Sequence, residues 1–273
     1  MNTPPSFIDS AFADPASLAA AARLRVVLVG TQHPGNIGAA ARALKTMGLA
    51  RLVLVAPEDY PAEEAYRRAA GADDLLGDAP VVDTLAEAVA DCRLVLGCTA
   101  RSRRVQLEEH VPRQAAAVAV ARAAAGGEVA LVFGRERTGL SNEELQLCHA
   151  AVHIPANPGY SSLNLAAAVQ VLAYELRLAL LEGAAPATAE PVHPDEVLAS
   201  HAHMEGFFTQ LGDTLDAIDF HKGRTPDSAM RKLRRLFNKA QLNEQEVRLL
   251  RGILADAQRM ARLAGGGGTG SLS

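Results

Sequence analysis

The stretch VGTQHPGNIGAAARALKTMGL, Val29–Leu49, decides the fold. Just before and into it, Val26, Val27, Leu28 and Val29 form an apolar, mostly β-branched run that reads as a buried strand. Gly30, Gly35, Asn36 and Gly38 follow in quick succession, and then an alanine-rich helix with Arg42 near its start. A strand, a glycine-rich turn and a helix N-terminus make a site for a nucleotide-like or anionic ligand. Its two commonest forms are excluded, because the glycines do not space as GxGxxG and no GK[ST] follows them. Arg42 lies four residues after Gly38 and shares its helix face. Helical side chains lean toward the N-terminus, so the guanidinium is expected over Gly38, where no side chain blocks it. On its own, a helical arginine is equally an ordinary solvated group.

Working outward, two further segments have the same strand-to-helix form. In LVFGRERTGLSNEEL, Leu131–Leu145, a strand ends at Phe133 and Gly134 opens a charged loop. Ser141 and Glu144 then form a capping box, with Leu140 and Leu145 placed as a hydrophobic staple. In HIPANPGYSSLNLAAAVQVLAYEL, His153–Leu176, a short strand runs into a Pro/Gly loop, and Ser161, Ser162 and Asn164 mark the start of a long apolar helix. Either loop alone is ordinary turn chemistry. Three such junctions at strand ends are where α/β sheets bind ligands.

These residues resemble a known family. Asn36-x-Gly38-x-x-x-Arg42, then Phe133-Gly134-x-Glu136-x-x-Gly139-Leu140-Ser141, then Ile154-Pro155 with Ser161-Ser162-Leu163-Asn164-Leu165, are similar to the three motifs of the SpoU/TrmH class of SPOUT RNA methyltransferases. HPGNIGAAARALKTMGL, FGRERTGLSNEEL and KLRRLF…LLRGIL resemble its TrmJ-type tRNA 2′-O-methyltransferases in particular. The resemblance spans about residues 24 to 260. It implies an S-adenosylmethionine-dependent methylation of a ribose 2′-hydroxyl in tRNA, at the C or U numbered 32 by convention in the anticodon loop. It implies Arg42, Asn36 and Ser162 as catalytic residues. Asn36 would orient Arg42 or the ribose, and Arg42 would act electrostatically, since a guanidinium does not readily give up its proton. The cofactor is expected against Cys98, Thr99, Ala100, Phe133, Gly134, Glu136, Gly139, Ile154, Ser161, Ser162, Leu163 and Asn164. Cys98 departs from relatives that carry a hydroxyl there, which weakens any side-chain role at that position.

Composition agrees with a soluble enzyme. The chain has 273 residues, 49% of them hydrophobic, enough for one large domain and a smaller one. Its net charge of −4 offers no global reason to expect RNA. Cys92, Cys98 and Cys148 show no CxxC spacing and cannot all pair, as suits a reducing cytoplasm. The acidic N-terminus is no secretory signal, and no apolar run reaches the length of a membrane span. Met1–Ala22, with three prolines, reads as a mobile arm.

Strands are expected near 25–30, 51–55, 80–82, 93–98, 128–133 and 151–154, and helices near 36–48, 62–70, 84–91, 113–125, 142–149 and 162–182. This alternation predicts an α/β fold, a mostly parallel sheet covered on both faces. Pattern alone gives an ordinary doubly wound sheet, because connections rarely thread. The resemblance implies instead a trefoil knot at the C-terminal end of residues 23–182. The helix Leu163–Leu181 is apolar nearly all round, which calls for a second covering surface. A homodimer is expected, as the family implies; a small C-terminal domain is the other candidate cover.

Residues 183–194 read as a linker, 195–262 as a helical domain and 263–273 as a flexible tail. From Ala184 to Asp219 there are seven acidic residues and no Lys or Arg; from Phe220 to Met260 there are ten basic against four acidic. Arg231, Lys232, Arg234, Arg235 and Lys239 share one helix face opposite Met230, Leu233 and Phe237. With Arg101, Arg103, Arg104 and Arg42 they form a candidate phosphate-binding patch, although a basic helix is also often only a solvated face. His201 and His203 have no third ligand nearby, so no metal is expected. Two other functions are open: a nicotinamide-dependent oxidoreductase with Glu58 or Asp59 holding a ribose, and an RNA-binding protein of the same fold without catalysis.

Overall fold

The computed structural model describes residues 11–12, 14–100, 107–183, 197–223 and 225–266. Its contacts divide the chain into two compact units, Met1–Ala189 and Glu190–Ser273.

The first unit runs α1 (Pro15–Ala21), β1 (Leu24–Val29), α2 (Pro34–Thr46), β2 (Arg51–Val55), α3 (Glu63–Ala69), α4 (Asp73–Gly77), β3 (Val81–Val82), α5 (Leu85–Ala88), β4 (Cys92–Cys98), β5 (Glu108–His110), α6 (Pro112–Ala124), β6 (Glu128–Phe133), α7 (Asn142–Gln146), β7 (Ala150–Val152) and α8 (Leu165–Leu181). The strands form one sheet in the order β3-β2-β1-β6-β4-β7-β5, and every pairing in it is parallel. The expected parallel α/β sheet is therefore present.

The strands alternate by size as well as by face. Leu24, Val26, Leu28, Leu52, Leu54, Leu94, Leu96, Leu131 and Phe133 join one core with residues of α1–α4, α6 and α8. Val27, Val29, Val53, Val55, Val95, Ala130 and Val132 point the other way, into a smaller core closed by Leu85, Ala88, Leu140 and Leu145. The bulkier side chains thus meet the thicker helical layer, consistent with the period-2 geometry of a strand.

Several expectations need correction. Met1–Ala22 is not wholly a mobile arm. Asp14 caps α1 by accepting from the N–H groups of Ala16 and Ser17, and Pro15 follows at the first helical position. The buried Ser17 hydroxyl donates to the Leu180 carbonyl at 2.7 Å, and the Arg177 guanidinium lies 5.4 Å from the centre of the buried Phe12 ring. β5 was not expected, because Glu-Glu-His has little strand propensity and pairs only at the sheet edge with β7. The helix expected over 62–70 is followed by a separate helix, α4. α8 begins at Leu165 and not at 162, because Asn164 is its N-cap, accepting from Ala166 N at 2.9 Å and Ala167 N at 3.3 Å. Nor is α8 buried all round: Leu172, Ala173, Leu176 and Leu180 are buried, while Ala167, Tyr174 and Leu181 are exposed.

The second unit is α9 (His201–Ala217), α10 (Pro226–Ala240) and α11 (Glu244–Gly266). α11 runs past 262 into the expected tail. Met204, Phe207, Phe208, Leu211 and Val247 make its core, with Met230, Leu233 and Phe237 packed against them. Residues 184–194 of the expected linker, residues 195 and 196 of the expected helical domain, and the arginines Arg101, Arg103 and Arg104 lie outside the described residues.

Candidate functional site

The C-terminal ends of four strands come level. Leu28 pairs with Phe133, Phe133 with Cys98, and Cys98 with Val152. The loops leaving these ends are the three junctions of the sequence. Their side chains meet at Glu136. Its carboxylate accepts from the backbone N–H groups of Gln32 at 2.9 Å and His33 at 3.2 Å, and from the Asn36 amide at 2.9 Å. Asn36 in turn accepts from the Asn164 amide at 2.9 Å. Asn36, Glu136 and Asn164, one residue from each motif, therefore form a continuous hydrogen-bonded clamp. Burial pushes the Glu136 carboxyl up, but the hydrogen bonds from Asn36, Gln32 and His33 outweigh it and hold the group below the ordinary carboxylate range.

Glycine makes the clamp possible. A Cβ on Gly134 would lie 2.2 Å from backbone atoms of Gly139 and Leu140, so the two ends of the loop approach closer than any side chain permits. Arg135 and Gly139 form a bridge across that loop. The capping box beyond it is complete: Ser141 N donates to Glu144 at 2.6 Å, and Glu144 N to the Ser141 hydroxyl at 3.1 Å. Leu140 and Leu145 are both buried.

Beside the clamp lies a pocket of about 460 Å³. Cys98, Thr99 and Ala100 form one wall, Phe133 to Gly139 a second, and Ile154, Ser161, Ser162 and Leu163 a third. Val152, Leu165 and Ala168 complete the lining. All the expected cofactor residues line it except Asn164, which is spent on the helix cap and on Asn36. Ser162 is exposed at the lining and is not the helix cap. Burial raises the Cys98 thiol, and that of Cys148 to about 12, so both stay protonated and unreactive near neutrality. Sequence reasoning left out Arg135, Arg137 and Thr138 from the lining; their loop was singled out, but a sequence does not say which of its side chains turn inward.

Arg42 is exposed on α2, outside the pocket lining of its own chain. Gly38 is not a clearance for it. A Cβ there would sit 1.9 Å from the Ala65 carbonyl oxygen, so Gly38 exists to let α2 pack directly on the backbone of α3. Asn36 does not orient Arg42, because both ends of its amide are committed to Glu136 and Asn164. Among the five basic residues expected on α10, Arg234 is also committed. It forms a bidentate pair with Glu205 and stacks 4.4 Å from the centre of the Phe208 ring. Arg231, Lys232, Arg235 and Lys239 are exposed. His201 is buried on α9, and His203 lies 3.5 Å from Glu244. Among the described residues there is no His, Cys, Asp and Glu cluster suited to a metal ion, and no helix long and apolar enough to cross a membrane.

A parallel sheet with a glycine-walled pocket at its carboxyl edge, beside a clamp that joins three loop-to-helix junctions, is the arrangement of an α/β ligand-binding enzyme. Comparison names the class, an RNA methylase: the SpoU rRNA Methylase family matches residues 23–174, and the TrmJ C-terminal domain family matches residues 202–266. The chain belongs to the SpoU methylase family, with the C-terminal domain of its TrmJ branch. It is 48% identical over 252 residues to a tRNA (cytidine/uridine/adenosine-2′-O-)-methyltransferase TrmJ of Pseudomonas aeruginosa, covering 88% of this chain and 95% of that one. It is 50% identical over 237 residues to a tRNA (cytidine/uridine-2′-O-)-methyltransferase TrmJ of Escherichia coli, covering 86% and 95%. The crystal structure of TrmJ from Z. mobilis ZM4 superposes with a TM-score of 0.73 at 36% identity, covering 85% of this chain and 97% of that one. The family leaves no support for the oxidoreductase reading; Glu58 here accepts from the Gln32 side chain at 3.1 Å.

Proposed function

We propose that this protein carries a methyl group from S-adenosylmethionine to a ribose 2′-hydroxyl of tRNA. The observation that carries the reading is the Asn36–Glu136–Asn164 clamp beside the 460 Å³ pocket, in a chain of this family. The lining suits the cofactor chemically. Phe133, Ile154 and Leu163 offer apolar surface for an adenine and a thioether, and Ser161 and Ser162 offer hydroxyls. When bound, S-adenosylmethionine supplies a methyl group on a sulfonium; the methyl passes to the ribose oxygen, the hydroxyl loses its proton, and the donor leaves as a neutral thioether. What the chain must add is alignment and electrostatics. Alignment of two reactants is worth up to about 7–11 kcal/mol in favourable cases. Arg42 lowers the hydroxyl's pKa and anchors the adjacent phosphate, which itself takes the proton.

Since Arg42 lies outside the pocket lining of its own chain, a second copy is the natural source of the cation. The outward stripe of α8, Ala167, Tyr174, Leu178 and Leu181, with the half-buried Val171 between the first two, recurs at four- and three-residue steps and is the face we assign to a homodimer. The family's trefoil knot is expected where the 153–164 segment passes the loops after β4 and β6. In the second unit Arg231, Lys232, Arg235 and Lys239 are the phosphate-binding residues, and Arg101, Arg103 and Arg104, outside the described residues, are expected to bind phosphate as well; the target is the anticodon-loop pyrimidine implied by the resemblance, and the compartment is the cytoplasm. The test is transfer of radiolabelled methyl from the donor to total tRNA, followed by mapping of 2′-O-methyl marks. Label on one loop ribose is expected; no label, or label on a base, overturns the reading. Sedimentation at micromolar concentration tests the dimer, and a 28.7 kDa species alone would exclude it.

A further inference from the structure

The charges lining the pocket can be accounted for one by one. Arg135 donates to both oxygens of Glu144, at 3.0 and 3.1 Å. Glu136 is filled by amide donors from Gln32, His33 and Asn36. Arg137 is left. It lines the same pocket, is exposed, and its guanidinium has no hydrogen bond or ion pair with any described residue. An unpaired guanidinium at a pocket mouth is a preorganised fork for an anion with two oxygens in one plane.

We propose that Arg137 binds a backbone phosphate of the RNA substrate at the mouth of the pocket. This rests on the reading of the pocket as a methyl-transfer site. Two anions could meet the fork: the carboxylate of the methyl donor or a phosphodiester of the RNA. The RNA is favoured on two grounds. Arg137 is exposed to solvent, the side from which the larger substrate arrives. The donor also carries a net positive charge, so a bare guanidinium beside it is repulsive until an anion stands between them. A phosphate next to the target ribose does this, and it fixes the register of the RNA on the pocket without reading any base. Arg137 is thus a positioning residue for the RNA and takes no part in the proton or methyl movement.

The test is a pair of binding titrations on Arg137→Ala, Arg137→Lys and the unaltered full chain. One follows a fluorescein-labelled tRNA transcript between about 50 and 200 mM salt. The other follows S-adenosylmethionine alone by calorimetry. Arg137→Ala is expected to weaken RNA binding about five- to tenfold at the upper salt concentration. The slope of log affinity against log salt should fall by about 0.7 to 0.9. Donor affinity stays within about twofold, and Arg137→Lys, which keeps the charge, retains the slope. A loss of donor affinity in Arg137→Ala, with or without a loss for RNA, overturns the proposal, as does a variant in which neither binding changes. Both readouts are equilibria, so they stand apart from turnover; failure of the functional reading would show separately, as an unaltered protein that labels no tRNA.

Discussion

The two edges of the sheet handle charge differently. At the N-terminal edge, the buried Arg25 bonds Asp91 at 2.8 and 2.5 Å and Glu128 at 2.9 Å, and Arg51 and Arg23 close on the same Glu128. Cations and carboxylates there satisfy one another. At the C-terminal edge Arg135 and Glu144 form one such pair, but the carboxylate of the clamp, Glu136, is held by neutral amides, and neither Arg137 in the pocket lining nor Arg42 on α2 has an ion pair among the described residues. Pairing charge with charge makes a permanent joint. Fixing a carboxylate with amides gives equal rigidity but leaves the cations free for an anionic substrate.

The comparison can be broken first at Arg42. Arg42→Ala is expected to cut the methyl-transfer rate by at least about a hundredfold to a thousandfold, the range seen when a charge-stabilising donor is removed, with donor affinity unchanged in calorimetry. A turnover near that of the unaltered protein would end its role. At the opposite edge, Arg25→Met should lower stability by about 3 kcal/mol in urea unfolding, since it leaves Asp91 and Glu128 facing each other, yet leave the transfer rate within about twofold. Gly134→Ala is expected to cost about 1–3 kcal/mol or more and to abolish donor binding, because its Cβ would strike the Gly139–Leu140 backbone.

Glu136→Gln sharpens the contrast through pH. The folded carboxyl sits below its ordinary value of 4.5, so its stabilisation is fully present above that pH and is lost as pH falls through the lower folded value. Melting temperatures should therefore differ between this variant and the unaltered chain near neutrality and converge in acid. The smallest effects belong to α10. Arg234→Ala should cost about 1–2 kcal/mol, through its bidentate pair and its ring contact. Lys232→Ala should leave the melting temperature alone and reduce only the salt dependence of RNA binding.

Much of the parallel sheet was legible, because runs such as Val26–Val29 and Leu131–Phe133 are short, apolar and followed by glycine. β5 was not, since Glu108-Glu109-His110 is extended only because β7 offers it an edge. α1 carried a readable sign, Asp14 before Pro15; the nearby prolines obscured it. In the pocket, residue identity was legible and direction was not. Asn36 and Asn164 were singled out by motif, but whether their amides meet Arg42, the cofactor or each other depends on rotamers and on contacts between distant segments. Gly38 shows the same limit: spacing put it under Arg42, and packing gave it to α3.

The bond between Asn36 and Asn164 joins positions 128 residues apart. A nascent chain leaving the ribosome can therefore pair β1 with β2 early, but the catalytic corner stays open until the segment at 164 arrives. No partly made copy therefore holds a finished clamp, which closes only together with the last long-range pairings of the sheet, the kind of contact that slows folding.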